Sequence, residues 1–163
     1  SRGSEMCIRD SICIAMIYTN MCRPMMEEST RMRCRFTIDS PLTRHIYTSE
    51  ENARLNNYII HNVKPHVPDN SHMICNFSIP VISLLGCKPY AVYSTVFTSD
   101  TMNRRYIDTA YRHSGRLPYL LIDKEKTNDK DRYVEECLYS IKPYRTIWTD
   151  GRFVLKEPAV RTH

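Results

Sequence analysis

The dipeptide Asp150-Gly151 is the feature that most constrains what this chain can fold into. It separates two short segments, residues 146–149 and 152–155, in the arrangement that is typical of a β-hairpin with a type I′ turn. A hairpin pairs its strands antiparallel, so a chain that also contains helices is not a purely parallel α/β protein. The pattern therefore predicts an α+β fold with an antiparallel hairpin near its C-terminal end.

Strand-like and helical hydrophobic patterns mix along the rest of the chain without strict alternation. Apolar or alternating segments predict strands at residues 12–18, 32–39, 90–98 and 117–123, and a strand that begins near Pro80 or Val81. Helical spacing predicts three helices. The first begins at a capping box around Thr48 and ends before Pro65. The second is capped by Ser99 or Asp100 and ends at Gly115, and the third is capped by Asn128 or Asp129.

This order of elements predicts a single α+β domain with a mixed β-sheet. We expect residues 12–123 to form its core. Residues 124–163 are expected to add a C-terminal helix and the β-hairpin to the same domain. The hairpin carries the only tryptophan of the chain, Trp148, and is expected to act as a docking or packing element.

The composition excludes several classes of protein. The chain has 163 residues, of which 42% are hydrophobic and 25% are charged, so it is neither disordered nor of low complexity. No apolar run approaches the ~18–20 residues that a membrane helix needs, and we expect no membrane partner. The formal net charge of +5 permits a nucleic-acid partner without requiring one.

We interpret the first eleven residues as a non-native addition to the chain. The peptide Gly3-Ser4-Glu5-Met6-Cys7-Ile8-Arg9-Asp10-Ser11 resembles translated sequencing-adapter sequence from assembled transcriptome reads. Residues 1–11 are therefore expected to be a non-native scar, and the native N-terminus is expected to be missing.

The cysteines point to a reducing compartment. No two of them form a C-x-x-C pair, and none has zinc-finger spacing from a histidine, so we expect no metal site and no cofactor. Cys13, Cys34, Cys75 and Cys137 lie in apolar segments, where cysteine serves as a small core residue. The sequence thus predicts an intracellular protein of the nucleus or cytoplasm.

Two short motifs resemble the thioredoxin fold. The expected strand at residues 12–18 leads into Cys22-Arg23-Pro24-Met25, and Ser78-Ile79-Pro80-Val81 resembles the Ile-Pro pair, with a cis proline, that opens a later strand in that family. The similarity covers roughly residues 12–113. It implies a thioredoxin-like core in which Pro80 lies beside Cys22, at the start of a helix.

Departures from the family pattern decide which function the resemblance implies. Met25 stands where the family has its second cysteine, and Met21 and Met16 stand in place of its Trp and its buried Asp. A methionine at this place resembles the thioredoxin-like spliceosomal protein family, which keeps the fold as a binding platform. The resemblance therefore implies a non-catalytic protein-interaction domain in a protein or ribonucleoprotein assembly, with a protein as the main partner and RNA as a second one.

A basic and aromatic segment offers a different function. Cations and aromatic rings interleave around the end of one predicted helix, and together they provide what single-stranded nucleic acid needs. The candidate nucleic-acid-binding residues are Arg104, Arg105, Tyr111, Arg112 and Arg116, with Tyr106, His113 and Tyr119 nearby. The alternative function is thus a basic α+β nucleic-acid-binding module, although the same residues also fit a solvated helix face.

Fewer residues support an enzymatic function. Cys22 at a helix N-terminus fits a single-cysteine thiol redox enzyme, because the helix dipole lowers the pKa of such a thiol. Tyr139 and Lys142, with His72, resemble the set of a tyrosine endonuclease, but Asn76 does not supply the second histidine. His113-Ser114-Gly115-Arg116 resembles a motif of tyrosine recombinases in a segment that we expect to be a turn. The balance favours a protein that is not an enzyme.

Overall fold

The computed structural model describes residues 34–90 and 100–159, and gives the backbone alone for residues 100–103. The scar at residues 1–11, the strand expected at residues 12–18, Cys22 and most of the strand expected at residues 90–98 lie outside the described residues. The chain divides into two compact units, Ser1–Tyr58 and Ile59–His163.

In the first unit, two short strands pair antiparallel. They are β1 (Phe36–Thr37) and β2 (Tyr47–Thr48), with a 3-10 turn at Pro41–Thr43 between them. β1 is much shorter than the strand predicted at residues 32–39, and its Phe36 side chain is 42% exposed. A two-residue ladder offers too little sheet surface to cover an apolar side chain.

Helix α1 (Glu50–Val63) confirms the first predicted helix. The N-cap is Ser49, one residue after the predicted Thr48. The Ser49 hydroxyl accepts a hydrogen bond from the backbone N–H of Asn52 at 3.3 Å. Glu50 and Glu51 in the first turn favour the positive end of the helix dipole. Pro65 lies in the 3-10 turn that follows, Lys64–His66, and the helix has ended by then, as expected.

The second unit is built on a five-stranded mixed sheet. The strands are β3 (His72–Cys75), β4 (Lys88–Pro89), β5 (Tyr119–Asp123), β6 (Tyr144–Thr149) and β7 (Phe153–Pro158). They lie in the order β4-β3-β5-β7-β6, with β4, β3 and β5 parallel and with β5, β7 and β6 antiparallel. The mixed sheet and its helices confirm the predicted α+β fold.

The strand predicted to begin near Pro80 is wrong, because these residues form helix α2 (Ile79–Leu84). Pro80 lies in its first turn, where the missing N–H of proline costs no hydrogen bond. The Ile79–Pro80 bond is trans, since no peptide bond among the described residues is cis. A short, continuously apolar segment fits a buried helix as well as a buried strand, and hydrophobic period alone cannot separate the two.

Helices α3 (Asp100–Ser114) and α4 (Asp129–Ile141) confirm the other two predicted helices. Gly115, with φ +62°, follows α3, and Asn128 caps α4 in a reciprocal capping box with Asp131. Both helices pack on one face of the sheet. The buried cluster there comprises Ile74, Tyr90, Ile107, Leu120, Ile122, Val134, Cys137 and Leu138.

Strands β6 and β7 confirm the predicted hairpin, but its turn is not type I′. Type I′ requires positive φ at both central residues. Here the backbone N–H of Asp150 donates to the Phe153 carbonyl at 3.3 Å, which makes Gly151 and Arg152 the central residues. Only Gly151 has positive φ, +100°, as a type II′ turn demands. The Asp150 carboxylate closes the turn by accepting the N–H groups of Arg152 (3.0 Å) and Phe153 (2.6 Å).

A buried carboxylate joins this hairpin to the end of β5. Asp123 is fully buried and accepts the Arg152 guanidinium through two hydrogen bonds, Nε–Oδ1 at 3.2 Å and Nη2–Oδ2 at 2.8 Å. The backbone N–H of Glu125 also donates to Oδ1, at 3.1 Å. The side chain of Arg152 further contacts Glu125 at 3.2 Å. The charge of Asp123 is therefore held by its own chain, and the turn is fixed to the sheet.

The Asn76 side chain forms hydrogen bonds to the backbone of Asp123. Its Oδ1 accepts the Asp123 N–H at 2.8 Å, and its Nδ2 donates to the Asp123 carbonyl at 3.1 Å. Asn76 follows β3, so its amide joins the carboxyl ends of β3 and β5 where the backbone ladder between them stops. It satisfies backbone groups that would otherwise be buried without partners.

We predict that Asn76→Ala lowers the free energy of unfolding by about 1–3 kcal/mol, because the buried N–H of Asp123 loses its acceptor. Urea unfolding, compared at an unchanged m-value, measures this loss. Asn56→Ala is the matched control: its Nδ2 donates to the Asn52 carbonyl on α1, and its loss should change stability by less than about 0.5 kcal/mol. Equal losses in the two variants would contradict the role of Asn76.

Candidate functional site

The predicted basic segment lies on α3 and on the turn after it. Ile107, 1% exposed, points into the core, and this orientation turns the arginines of the helix toward solvent. Arg104, Arg105 and Arg112 are all exposed on α3, and Arg116 is exposed just beyond Gly115. The structure thus brings the four predicted arginines to one helix and its C-terminal end.

Helical spacing sets how these cations are arranged. Arg105 and Arg112 are seven residues apart, so they lie on the same side of the helix, about 10 Å apart along its axis. Arg112 and His113 occupy the last turn, where positive charge also interacts favourably with the helix dipole. The result is a basic face centred on Arg105 and Arg112, which we call the α3 arginine face, with Arg104 at its flank and Arg116 at its end.

The charges of this face are largely uncompensated. Residues 104–116 contain four arginines and one acidic residue, Asp108, which gives a net charge of +3 (4 − 1). None of the four arginines forms an ion pair with a carboxylate of the described residues. Asp108 is four residues from both Arg104 and Arg112, so helical spacing puts its carboxylate between these two arginines and lowers the positive charge there.

The tyrosines do not form one stacking platform with the arginines. Tyr106 and Tyr111 are each 37% exposed, and their spacing puts them about 140° apart around the helix, on opposite flanks of the α3 arginine face. Tyr119 lies on β5 and is half-buried, and burial raises its pKa. Each exposed ring can therefore meet a base at an edge of the face, but no continuous ladder of rings exists there.

The residues expected from the thioredoxin-like resemblance are not assembled in the described part of the chain. Cys22 lies outside it. Pro80 is exposed in the first turn of α2 and does not open a strand. The family assignment itself remains a prediction.

No cysteine within residues 34–90 and 100–159 forms a disulfide, and burial makes the thiols of two of them unreactive. Burial raises the pKa of Cys75 and of Cys87 to about 11 in each case, because a thiolate is poorly solvated in the core. Cys137 is also buried, which confirms the expected core role of Cys75 and Cys137, whereas Cys34 is half-exposed. Neither Cys75 nor Cys87 is suited to nucleophilic chemistry near neutral pH.

The residues of the endonuclease interpretation have separate structural roles. His72 lies on β3, with its ring 5.8 Å from the ring of Tyr90, and Asn76 clamps Asp123. Tyr139 contacts neither of them. Its hydroxyl donates to Glu135 at 2.9 Å and accepts the Lys156 ammonium at 2.7 Å. Burial raises the pKa of Tyr139, which opposes formation of the phenolate nucleophile that such chemistry requires.

Sequence reasoning missed a cavity between α4, the loop before it and the hairpin. It has a volume of about 430 Å³. We call it the hairpin cavity, and it is lined by Ile122, Lys124, Thr127, Arg132, Glu135, Thr146, Thr149, Val154 and Lys156. Residues 123–131 mix acidic and basic side chains, which is typical of a solvated loop, and their distance in sequence from β7 hides that both meet here. The alternation along β7, which puts Val154 and Lys156 on one face, was the available signal.

One wall of the hairpin cavity is a charged network. The Lys156 ammonium donates to Glu135 at 2.8 Å and to the Tyr139 hydroxyl, and the Lys156 and Glu135 side chains are only 23% and 18% exposed. Burial lowers the pKa of Lys156, but its hydrogen bonds to Glu135 and Tyr139 outweigh that effect and raise it overall. Lys156 therefore stays charged, and its charge is matched by Glu135.

Within residues 34–90 and 100–159, no group of at least three His, Cys, Asp and Glu side chains is placed to hold a metal ion. Over the same residues, no helix combines the length and the apolar character that a membrane crossing requires.

We predict that Cys75 and Cys87 resist alkylation in the folded protein. At pH 8 a thiol with a pKa near 11 is thiolate in only about one molecule in a thousand, and both thiols are buried. Iodoacetamide labelling followed by peptide mass mapping should find both modified only after urea unfolding. The half-exposed Cys34 is the internal comparison, and labelling of Cys75 as fast as Cys34 in the folded state would contradict the prediction.

Comparisons with known proteins add no family to these observations. No protein-family model matches the chain, and neither a curated protein nor a solved structure is significantly similar to it. The functional conclusions therefore depend on the geometry of the described residues.

Proposed function

We propose that this chain is a nucleic-acid-binding α+β module that holds a single strand, RNA in the first instance, on the α3 arginine face. The observation that supports the proposal is the set of four exposed arginines, at 104, 105, 112 and 116, without a carboxylate partner among the described residues. Ion pairs at i, i+3 or i, i+4 stabilise a helix, and none of these arginines forms such a pair among the described residues.

The geometry favours contact with a phosphate backbone over reading of a base sequence. Guanidinium groups bind phosphate oxygens through two hydrogen bonds at once, and their side chains on an exposed helix can follow a flexible strand. Binding then releases counterions, so that affinity falls as salt rises. Tyr106 and Tyr111 at the two flanks can each stack with one base, which adds affinity without strong sequence preference.

The other predicted functions have less support among the described residues. Docking of a protein partner in a ribonucleoprotein assembly was implied by the thioredoxin-like resemblance, whose Pro80 lies in a helix and whose Cys22 is outside the described part. Thiol redox chemistry depends on Cys22 alone. Both remain predictions, and an RNA-binding module is compatible with a role in such an assembly.

We predict that a fluorescein-labelled single-stranded RNA of about 12 nucleotides binds with an affinity that falls steeply with salt. Fluorescence anisotropy between about 50 and 200 mM KCl should give a slope of log K against log salt of about −2 to −3, for three or four phosphate contacts. Replacing Arg105 and Arg112 together by alanine should weaken binding and make the slope shallower by about 1.4, since two contacts are lost. Arginine and alanine have similar helix propensities, so α3 should persist.

The matched control is a second double variant, Lys124→Ala with Arg132→Ala. It removes the same charge from the hairpin cavity and should leave RNA affinity and salt slope unchanged. Equal weakening in the two double variants would mean that only net charge matters, and would overturn the proposal. So would an absence of binding by the unaltered chain at low salt.

A further inference from the structure

The hairpin cavity has the size of a small-molecule site. Its volume of about 430 Å³ is far larger than an inorganic ion needs and lies in the range that is typical of ligand pockets. It lies between one helix and two strands of the hairpin, all of which have well-defined hydrogen bonds. Its walls are therefore formed before any ligand arrives, and preformed walls reduce the entropy lost on binding.

The cavity carries an excess of positive charge. Lys156 is neutralised by Glu135, as described above, but two further cations line the cavity. The Lys124 ammonium donates to a neutral group, the Gly151 carbonyl, at 2.9 Å. Arg132 faces Asp129 at 3.6 Å, and both side chains are largely exposed, 70% and 100%, so this pair is weak. Lys124 and Arg132 are thus available to bind an anionic group.

The remaining lining suits a ligand with a flat, partly apolar body. Ile122 and Val154 contribute apolar surface, and the threonines add hydroxyl groups around it. The Thr127 hydroxyl donates to the Asp123 carbonyl and accepts the Asn76 amide. The Thr149 hydroxyl donates to the Phe153 carbonyl and accepts the Gly151 N–H. One lone pair on each oxygen is therefore left to accept a hydrogen bond from a ligand. The Thr146 hydroxyl has no hydrogen-bond partner among the described residues, and it can both donate and accept.

We propose that the hairpin cavity binds a small phosphorylated ligand of the nucleoside monophosphate class. Lys124 and Arg132 hold the phosphate, and Ile122 and Val154 contact one face of the base. Thr146 and Thr149 bond to its polar edge. This site shares no residue with the α3 arginine face. It would hold one nucleotide in a cavity, whereas the α3 arginine face is proposed to bind a strand along a helix.

Calorimetric titration of the full chain with AMP, GMP, CMP and UMP tests the proposal, with the corresponding nucleosides and inorganic phosphate as comparisons. At least one monophosphate should bind, and should bind at least about tenfold more tightly than its own nucleoside and than inorganic phosphate. The first comparison isolates the contribution of the phosphate, and the second isolates that of the base. Failure of all four monophosphates, or equal affinity of nucleotide and nucleoside, would overturn the proposal.

Variants locate the binding to the hairpin cavity. Lys124→Ala with Arg132→Ala should weaken the monophosphate at least about tenfold and leave the thermal unfolding midpoint nearly unchanged, since both side chains are exposed. Thr146→Val, which keeps the shape and removes the hydroxyl, should weaken it by a smaller factor. Arg105→Ala with Arg112→Ala should leave it unchanged. Loss of monophosphate binding in this last variant would move the site to α3 and overturn the proposal, whatever the result with RNA.

Discussion

The arrangement of the second unit depends on how one buried charge is accommodated. Asp123 ends β5 in the middle of the sheet and has no exposure to water. A carboxylate there is stable only if a positive charge lies beside it and donors form hydrogen bonds to its oxygens. The Arg152 guanidinium supplies the positive charge, and the backbone N–H of Glu125 in the following loop supplies a further donor. Because Arg152 is a central residue of the hairpin turn, the same contact that stabilises the charge also fixes where β6 and β7 begin and end.

That contact also shapes the hairpin cavity, whereas core packing positions the α3 arginine face. With the turn held at the end of β5, β7 pairs with β5 and places Lys156 opposite α4, which makes one wall of the hairpin cavity. Asn76 completes the joint by linking the end of β3 to Asp123. Helix α3 packs on the same sheet face through Ile107, and this packing leaves its arginines in solvent. The core thus directs which charges face outward.

Sequence patterns predicted what depends on local chemistry and failed where long-range contacts decide. Capping residues and glycines located α1, α3 and α4 to within a residue or two, and the fold class followed from them together with the hairpin. The apolar segment around Pro80 was misassigned, because a short, continuously apolar segment has no periodic signal that separates a helix from a strand. The α3 arginines were found because they are close in sequence. The hairpin cavity was not, because its walls come from two separate segments, residues 122–135 and 146–156, that only the folded structure brings together.

The position of β7 in the sheet has a consequence for synthesis on the ribosome. It is the last strand of the described chain, yet it lies inside the sheet, between β5 and β6. Until it emerges, β5 has an open edge, and the carboxylate of Asp123 has no guanidinium beside it. Open strand edges invite pairing with other chains, so a nascent or truncated form that stops before β7 is exposed to aggregation. The order of translation, and not only the final contacts, therefore limits how this protein reaches its fold.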